Sequence, residues 1–389
     1  MMKLTVNRSS FCEALKTVTA AAKSSSVTRV SGVYLYADAS KRILELIGTD
    51  AITSVVKRIR DADISAGGEI ILPPIVLEIL KRTKEESIGL ETNKNGALSL
   101  SFGSSRYVLV TKPVSEFPRS ELVFPTAYVS VSGLLPLLKH AAFAAETNGD
   151  KRELQGVTLR LTPGISTAEA MNQKRMASAV NRNAADGEIE MKLHISAVNI
   201  LFSLLSADKT VYAGAAEQRA VFVCGDTVFS TVMMNKAGPD MSSFVKRLVP
   251  EYRAEAGAKE LLNAIQTAAV CQMPGDDRCV NICFTPMGIR LSCAAYKRSS
   301  SAFVATLCDS PTPDAGFNYE PQIIEDFLRL TAGNVSVKLD KRGFMLLESA
   351  DGVYLVTPRN AVSIVKPKPK PEKAEKAEKK TAKKTKKAA

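Results

Sequence analysis

The hydrophobic positions along the chain recur in three amphipathic segments of the same pattern. Each segment places apolar side chains at i, i+4 and i+7, which is the spacing of one helix face. The segments begin at Ser9, Ser132 and Ala258, and their apolar stripes recur at offsets of 123 and 127 residues. Their stripes are Phe11, Leu15 and Val18; Leu134, Leu138 and Ala141; and Leu261, Ile265 and Ala268. A short alternating run (KLTVN, AYVSVS or YRAEAG) precedes each segment, so the pattern predicts a repeated strand-helix unit.

A second set of helical stripes lies between the members of the first, at offsets of 122 and 126 residues. Its members are Ile75, Val76, Ile79 and Leu80; Ala197, Val198, Leu201 and Phe202; and Ile323, Ile324, Phe327 and Leu328. Alternating strand patterns follow the helices of both sets, so each helix opens a β-meander. Chance similarity of common amphipathic patterns is the alternative, but two sets with matching offsets favour a true repeat.

The repeats predict three units, each made of two strand-helix-meander halves. Few helices then serve many strands, which places the helices on one face of antiparallel sheets in an α+β fold. The expected domains are residues 1–124, 125–252 and 253–365, followed by a disordered Lys-rich tail at 366–389. Alternating Lys and Pro followed by Lys, Ala and Glu cannot build a hydrophobic core.

The net charge of +12 is unevenly distributed along the chain. The tail holds eleven Lys and three Glu, a balance of +8, which leaves +4 for the preceding 365 residues. A positive balance points to nucleic acid or another anionic surface. With no Trp and 6% aromatic residues, stacking of bases on aromatic side chains is a poor candidate for such binding.

Composition also argues against several other classes of protein. Seven cysteines with no CxxC pattern are typical of buried thiols in a reducing compartment rather than of a disulfide scaffold or a zinc ribbon. The two histidines, His140 and His194, cannot form an imidazole cluster, and no GxxxxGK[ST], GxSxG or HExxH string occurs. We therefore expect no enzyme activity, no cofactor and no metal. The absence of a signal peptide and of a spanning apolar stretch predicts a cytoplasmic protein.

A threefold repeat of doubled strand-helix-meander units resembles the bacterial DNA polymerase III beta subunit, the sliding clamp. The local strings KLTVNRSSF, LELIGTDAITSVV, RYVLVTKPVSEFP, FVKRLVP and VYLVTPRN support the resemblance, which covers about residues 2 to 360. It implies a head-to-tail homodimeric ring with the helices inside, encircling double-stranded DNA as a processivity factor. It also implies a nucleoid-associated protein that tethers the DNA polymerase and is loaded by clamp-loader subunits.

A clamp that slides must attract phosphates without reading bases, because base contacts would arrest it. Cations on the inner helices suit that role, and the candidates are Lys16, Lys23, Lys81, Arg82, Lys139, His140, Lys209 and Arg329. Ordinary solvated helix faces are the alternative interpretation of each. The resemblance places the ring-closing contacts at Tyr107, Val270 and Cys271, for which simple packing is the alternative.

The resemblance also implies a cleft between the second and third domains that binds short hydrophobic motifs of partners. The matching positions are Leu154, Arg175, Met176, Arg247, Leu248, Leu355, Val356, Thr357, Pro358 and Arg359. Ordinary core packing is the alternative for Leu154, Leu248 and Val356. The chain has MNQKRMAS where the family commonly shows a TDGHRLA-like string, so Gln173 and Lys174 replace a Gly and a His. This change reshapes the expected cleft or adapts it to a divergent motif.

A rival hypothesis is a clamp-like repeat scaffold for protein-protein interaction, in which the Lys-rich tail alone binds DNA. Simple affinity for DNA would not separate the two hypotheses, because the tail by itself gives salt-sensitive binding. Topological retention on circular DNA would separate them.

Overall fold

A computed structural model of the chain describes residues 1–22, 32–93, 96–118, 124–182, 185–207, 209–234, 241–273, 278–295, 298–309 and 315–359. The predicted Lys-rich tail and Lys23 lie outside these residues. All seven cysteines lie within these residues, and none of them forms a disulfide there. None of the helices in the described ranges is long and apolar enough to cross a membrane.

The first unit begins with strand β1 and helix α1, as the sequence predicts. Its elements are β1 (Lys3–Asn7), α1 (Arg8–Ala22), β2 (Val33–Asp38), β3 (Ile43–Thr49), β4 (Thr53–Ile59), β5 (Asp63–Ala66), β6 (Gly68–Leu72), α2 (Ile75–Arg82), β7 (Ser87–Thr92), β8 (Leu98–Phe102) and β9 (Ser105–Leu109). The side chain of Asn7 caps α1, because its Oδ1 accepts hydrogen bonds from the amides of Ser9 and Ser10 at 2.8 and 3.2 Å.

The second unit repeats this order. Its elements are β10 (Val129–Val131), α3 (Leu134–Ala142), β11 (Gly156–Leu161), β12 (Ile165–Met171), β13 (Arg175–Arg182), β14 (Ile189–His194), α4 (Ile195–Leu204), β15 (Val211–Ala216), β16 (Arg219–Cys224), β17 (Thr227–Val232) and α5 (Met241–Lys246). The short helix α5 has no counterpart in the predicted repeat.

The third unit begins with a strand at Pro250. Its elements are β18 (Pro250–Gly257), α6 (Ala258–Ala269), β19 (Val280–Thr285), β20 (Gly288–Ala295), β21 (Arg298–Ala305), β22 (Cys308–Asp309), β23 (Ala315–Tyr319), α7 (Pro321–Leu328), β24 (Asn334–Asp340), β25 (Met345–Ser349) and β26 (Gly352–Val356).

The strands form antiparallel sheets, and two of these sheets join neighbouring units. The strand orders are β5-β1-β7-β8-β9, β10-β15-β16-β17-β4-β3-β2-β6, β14-β11-β12-β13-β26-β25-β24-β18-β22, and β21-β20-β19-β23. The second order pairs β17 with β4, and the third pairs β13 with β26. The predicted α+β architecture with threefold repetition is therefore confirmed.

The helices cover one face of the sheets with the stripes that the sequence predicts. Helix α1 packs on β3 and β4, α3 packs on β12 and β13, and α6 packs on β20 and β21, so the same contact occurs three times. The predicted stripes of these three helices are buried. In the second set of stripes, Ile75 at the start of α2 is not buried, because half of its side chain is exposed. Burial of the remaining stripe residues supplies the hydrophobic stabilisation of each unit.

The N-terminus of α4 depends on a neutral histidine. The Nδ1 atom of His194 accepts a hydrogen bond from the Ser196 amide at 3.2 Å, and its Nε2 lies 3.3 Å from Oε1 of Gln155. This arrangement assigns the proton to Nε2 and leaves Nδ1 as the cap acceptor. Burial lowers the pKa of His194 below its ordinary value.

Acidification is therefore expected to destabilise this cap. The pKa of His194 is lower in the folded state than in the unfolded chain, where it is about 6.5. The stabilisation from the cap is therefore fully present above the unfolded pKa and is lost as the pH falls through the folded pKa. Replacing His194 with Asn keeps an acceptor but removes the titration. Thermal unfolding at pH 7.5 and pH 5.5 should show a smaller acid-induced loss in His194→Asn, by on the order of 1 kcal/mol. His140→Asn is the control, and an equal loss in both variants would contradict the assignment.

Candidate functional site

The two junctions between units are built in the same way. The first junction pairs β4 with β17, and the second pairs β13 with β26. Each of these four strands immediately follows a two-residue hairpin turn. Counted from these turns, the first residue of one strand lies opposite the fifth residue of the other. Thr53 faces Thr231 at the first junction, and Arg175 faces Val356 at the second. The register is therefore a repeated property of the junctions.

Matching backbone hydrogen bonds lie at both ends of each junction. At the first, the amides of Arg58 and Val232 donate to the carbonyls of Asp226 and Ile52 at 3.0 and 3.2 Å. At the second, the amides of Val180 and Thr357 donate to the carbonyls of Asp351 and Lys174 at 2.8 and 2.9 Å. In every case, the sixth residue after one hairpin turn donates through its amide to the carbonyl of the second residue of the partner strand's turn. These bonds close each ladder without an unpaired end.

Strands β9 and β21 occupy the corresponding places in the first and third units, and each is the outer strand of its sheet. Most residues of both strands are exposed. Tyr107 is the third residue of β9, and its structural equivalents in the two junctions are Phe229 and Tyr354. Their exposed fractions are 41% for Tyr107, 1% for Phe229 and 0% for Tyr354. An aromatic side chain that is buried at two junctions is thus left half-exposed at this edge.

Further apolar side chains are exposed near the same two edges. Val108 is 66% exposed on β9, and Val270, after α6, is 75% exposed. Cys271 is half-buried, and its thiol lies 3.6 Å from the carbonyl oxygen of Cys293. The residues expected at the ring closure therefore lie at two separate sheet edges of one chain, and a single chain does not bring them together.

An apolar cluster lies at the second junction, on the sheet face opposite the main core. We call it the cleft cluster; its residues are Met176, Met241, Leu346 and Leu355, with Met171, Val245, Leu248, Phe344 and Val353 packed against them. Met176 and Leu355 are paired across the junction. The equivalent pair at the first junction is Ser54 and Ser230. The second junction therefore carries a large apolar pair where the first carries two small hydroxyl side chains.

The structure brings part of the predicted cleft together. Met176, Leu248 and Leu355 belong to the cleft cluster. Val356 is fully buried in the main core, and Leu154 lies half-buried in a short 3-10 helix outside the cluster. Arg247 is exposed beyond the end of α5, and Pro358 is half-buried after β26. The sequence repeat did not indicate α5, because this helix is short and has no counterpart in the other units.

The altered MNQKRMAS segment connects the second and third units through ion pairs. Lys174 bonds to Glu320 at 2.8 Å, and Arg175 bonds to Asp326 at 2.6 Å. Arg175 also donates to the carbonyl of Phe143. Thr357 fixes the same turn, because its amide and hydroxyl both donate to the Lys174 carbonyl. The two basic side chains therefore tie the second unit to the third; of the two, Arg175 is a predicted cleft residue.

The hydroxyl of Tyr354, at the same junction, stays in its neutral form. Burial raises the pKa of Tyr354, and its hydroxyl donates to the Ile323 carbonyl at 2.8 Å. The ring of Tyr354 stacks on Phe327 at 5.1 Å between centroids. Arg359, expected at the cleft, instead donates to the carbonyls of Asn318 and Arg278, both at 2.7 Å.

The candidate DNA-binding cations lie on or just after the helices. Lys16 is exposed on α1, Lys139 is exposed on α3, and Lys209 is exposed after α4. His140 is half-buried and Arg82 is exposed. Lys81 pairs with Glu78 at 2.7 Å and Arg329 with Glu325 at 2.6 Å, so two of the cations are partly neutralised on their own helices. In the described ranges, no group of three or more His, Cys, Asp or Glu side chains could hold a metal ion.

Parts of this chain are similar to known bacterial DNA polymerase III beta subunits. The family model of the DNA polymerase III beta subunit, N-terminal domain, matches residues 2–121. The beta sliding clamp of Synechococcus elongatus is 26% identical over 253 residues, which are 62% of this chain and 66% of that relative, slightly under two thirds of its length. These matches confirm the resemblance that the repeats and local strings indicated.

Solved structures with the same fold extend the likeness over nearly the whole chain. The DNA polymerase sliding clamp of Bacillus subtilis has a TM-score of 0.84 at 18% identity, covering 92% of this chain and 99% of that one. The beta subunit of DNA polymerase from Streptococcus pyogenes has a TM-score of 0.83 at 18% identity, covering 92% and 100%. At these identities the likeness establishes the fold.

Proposed function

We propose that this chain, which has the fold of the bacterial DNA polymerase III beta sliding clamps and whose first unit matches that family, is a DNA sliding clamp. It encircles duplex DNA as a homodimer and tethers a DNA polymerase as a non-catalytic processivity factor. The observation that carries the proposal is the repeated junction: two are closed within the chain, and the strands for a third remain open.

The register of the internal junctions predicts how two chains close the ring. Applied to β21 and β9, it places Arg298 opposite Leu109 of the partner subunit, and Ser299 opposite Val108 of the partner subunit. Ser300 then faces Tyr107 of the partner subunit, which becomes buried as Phe229 and Tyr354 are at the internal junctions. The Phe303 amide would donate to the carbonyl of Ser104 of the partner subunit, completing the ladder.

Hairpin geometry independently supports this pairing. The pairs Phe102 with Ser105 and Ala295 with Arg298 flank two-residue turns, so they are hydrogen-bonded within their hairpins. Along each strand, successive amides point alternately toward and away from the hairpin partner. The amides of Val108 and Ser299 are among those that point away. The proposed register pairs these two outward-facing residues. A head-to-tail contact of this kind forms a closed ring when its rotation closes, and six units then complete the circle.

The helix cations are proposed to line the DNA path. Lys16, Lys139 and Lys209 are exposed and belong to the three helices α1, α3 and α4 or their ends. Phosphate contacts of this type attract DNA without sequence preference and leave it free to slide. The +4 charge of the body fits weak attraction, because a ring is retained by topology.

Removing these cations should lower the salt dependence of DNA binding. Lys16→Gln combined with Lys139→Gln, in a chain ending at Val365, is expected to reduce the slope of log K against log[salt] by about 0.9 for each lost phosphate contact. Fluorescence titration of a duplex at several salt concentrations measures this slope. Lys41→Gln, in the exposed turn between β2 and β3, is the control. An unchanged slope in the double variant would remove these helices from the DNA path.

Retention on circular DNA tests the proposed function directly. Once loaded, the protein should stay on a nicked circle at high salt and dissociate when the circle is cut. A chain ending at Val365 should behave in the same way, because topology rather than the Lys-rich tail holds it. Equal retention on circular and linear DNA would support the rival scaffold with tail-mediated binding and would overturn the ring.

We also propose that the cleft cluster binds short hydrophobic motifs of the polymerase and clamp-loader subunits. An apolar cluster at a sheet junction, with partly buried residues around it and a short helix beside it, suits an extended peptide with large apolar anchors. ATP hydrolysis for loading would come from the loader. A cytoplasmic, nucleoid-associated location follows from this function.

A further inference from the structure

One rim of the cleft cluster carries a fixed, exposed cation. The guanidinium of Arg342 lies 4.9 Å from the centroid of the Phe344 ring, and Phe344 packs against the cleft cluster. The Nε and Nη2 atoms of Arg342 both bond to Oδ2 of Asp340 at 2.8 Å. The side chain is nevertheless 57% exposed. Stacking and ion pairing thus hold a positive charge beside an apolar surface.

Asp340 acts as a buried anchor for this arrangement. Its side chain is 4% exposed, and its Oδ1 accepts hydrogen bonds from the amides of Arg342 and Phe344, both at 2.9 Å. The Tyr319 hydroxyl donates to the Gly343 carbonyl at 2.7 Å, which fixes the middle of the same turn. Because the turn is held from both sides, the guanidinium is already fixed in place before a ligand binds.

Arg342 retains donors for a ligand. An arginine has five N–H donors, and Asp340 uses two of its nitrogens. Within the described ranges, no other acceptor bonds to the Arg342 side chain. Its outward edge matches the fork geometry that binds a carboxylate with two parallel hydrogen bonds.

The charge around the cleft cluster is also one-sided. The two segments that border it, residues 241–248 and 340–344, contain Lys246, Arg247, Lys341 and Arg342 but Asp340 as the sole carboxylate. Lys246, Arg247 and Lys341 are exposed. Exposed charges of one sign favour a partner of the opposite sign and raise its association rate.

We infer that the cleft selects an acidic peptide motif, in which an Asp or Glu side chain next to the apolar anchors pairs with Arg342. This inference rests on the proposed peptide-binding function and adds a chemical preference to it. The anchors supply most of the affinity, because the rim charge stays partly solvated. The carboxylate supplies orientation and discrimination against neutral motifs.

Two matched peptides test the preference. Both carry the same Leu and Phe anchors and an amidated C-terminus, and they differ in having Glu or Gln at the positions flanking the anchors. Fluorescence anisotropy with the full-length chain should show about tenfold tighter binding of the Glu peptide at low salt. The difference should shrink as salt is added.

Substitution of Arg342 assigns the preference to this side chain. Arg342→Gln should bind both peptides with nearly equal affinity, and Arg342→Lys should recover part of the preference because it restores charge without the fork. Arg60→Gln is the control, since Arg60 is an exposed arginine paired with Asp226 at the first junction. The Lys-rich tail is present in every variant, so its contribution cancels when the Glu preference of one variant is compared with that of another.

The possible outcomes separate the two proposals. Equal binding of both peptides to the wild-type chain, or an unchanged preference in Arg342→Gln, would overturn the acidic preference and leave the cleft intact. Failure of both peptides to bind would overturn the proposed peptide-binding function and the preference that rests on it. Loss of the preference in Arg342→Gln, with the Gln peptide bound as before, would support both.

Discussion

Val108→Pro should convert the dimer into a monomer and abolish retention on circular DNA. The Val108 amide points away from the β8-β9 hairpin, so proline removes a donor of the closing ladder and leaves the hairpin bonds in place. The added clash and lost bond cost about 3 kcal/mol, which weakens dimerisation by about 100-fold. Light scattering at micromolar concentration should then give 41.9 kDa rather than twice that mass.

A conservative variant and a designed cross-link control this result. Val108→Thr keeps the amide and should remain dimeric. Ser299→Cys combined with Val108→Cys places two thiols directly opposite each other in the proposed register, and oxidation should give a covalent dimer. Ser299→Cys combined with Arg106→Cys offsets them by two residues and should cross-link poorly. Equal cross-linking of both pairs, or a dimeric Val108→Pro variant, would refute the register.

Met176→Ser combined with Leu355→Ser should abolish binding of a Leu/Phe-anchored peptide to the cleft cluster. Loss of two central apolar contacts is expected to lower peptide affinity by at least about 100-fold. The ring should persist, because Ser54 and Ser230 already occupy the equivalent positions of the first junction. Anisotropy measures the peptide, and light scattering measures the dimer.

A matched pair at the other junction controls for stability. Val56 and Val228 are buried on the same sheet face of the first junction, and their replacement with Ser removes comparable apolar surface far from the cleft cluster. Each substitution in the two double variants is expected to cost on the order of 2 to 4 kcal/mol of stability. Full peptide affinity in Met176→Ser/Leu355→Ser, or an equal loss in Val56→Ser/Val228→Ser, would show that the cleft cluster is not the binding site.

The likeness of the junctions also supports the proposed dimer. Aromatic side chains at Phe229 and Tyr354 are buried because a neighbouring unit supplies the opposing strand. Tyr107 has the same place in the first unit and lacks that cover within one chain. Burying it in a dimer recovers hydrophobic stabilisation that the monomer forgoes. In the proposed dimer, all three junctions would be closed.

The sequence by itself determined the threefold repeat, the α+β layering and the position of the main helices. These features follow from local periodicity, because a helix stripe or an alternating strand must match the face that it buries. The stripe Phe11, Leu15 and Val18 is one example that is buried as predicted. The candidate cleft was located in part, since Met176, Leu248 and Leu355 belong to the cleft cluster.

Only the tertiary structure decided which strands meet, in which register, and what lies beside them. Pairing of β13 with β26 joins residues about 180 positions apart, and no local pattern encodes that choice. The tertiary structure also pairs Arg175 with Asp326 and directs Arg359 to backbone carbonyls. The turn that fixes Arg342 on Phe344 likewise depends on a buried carboxylate, Asp340, whose burial exists only in the folded tertiary structure.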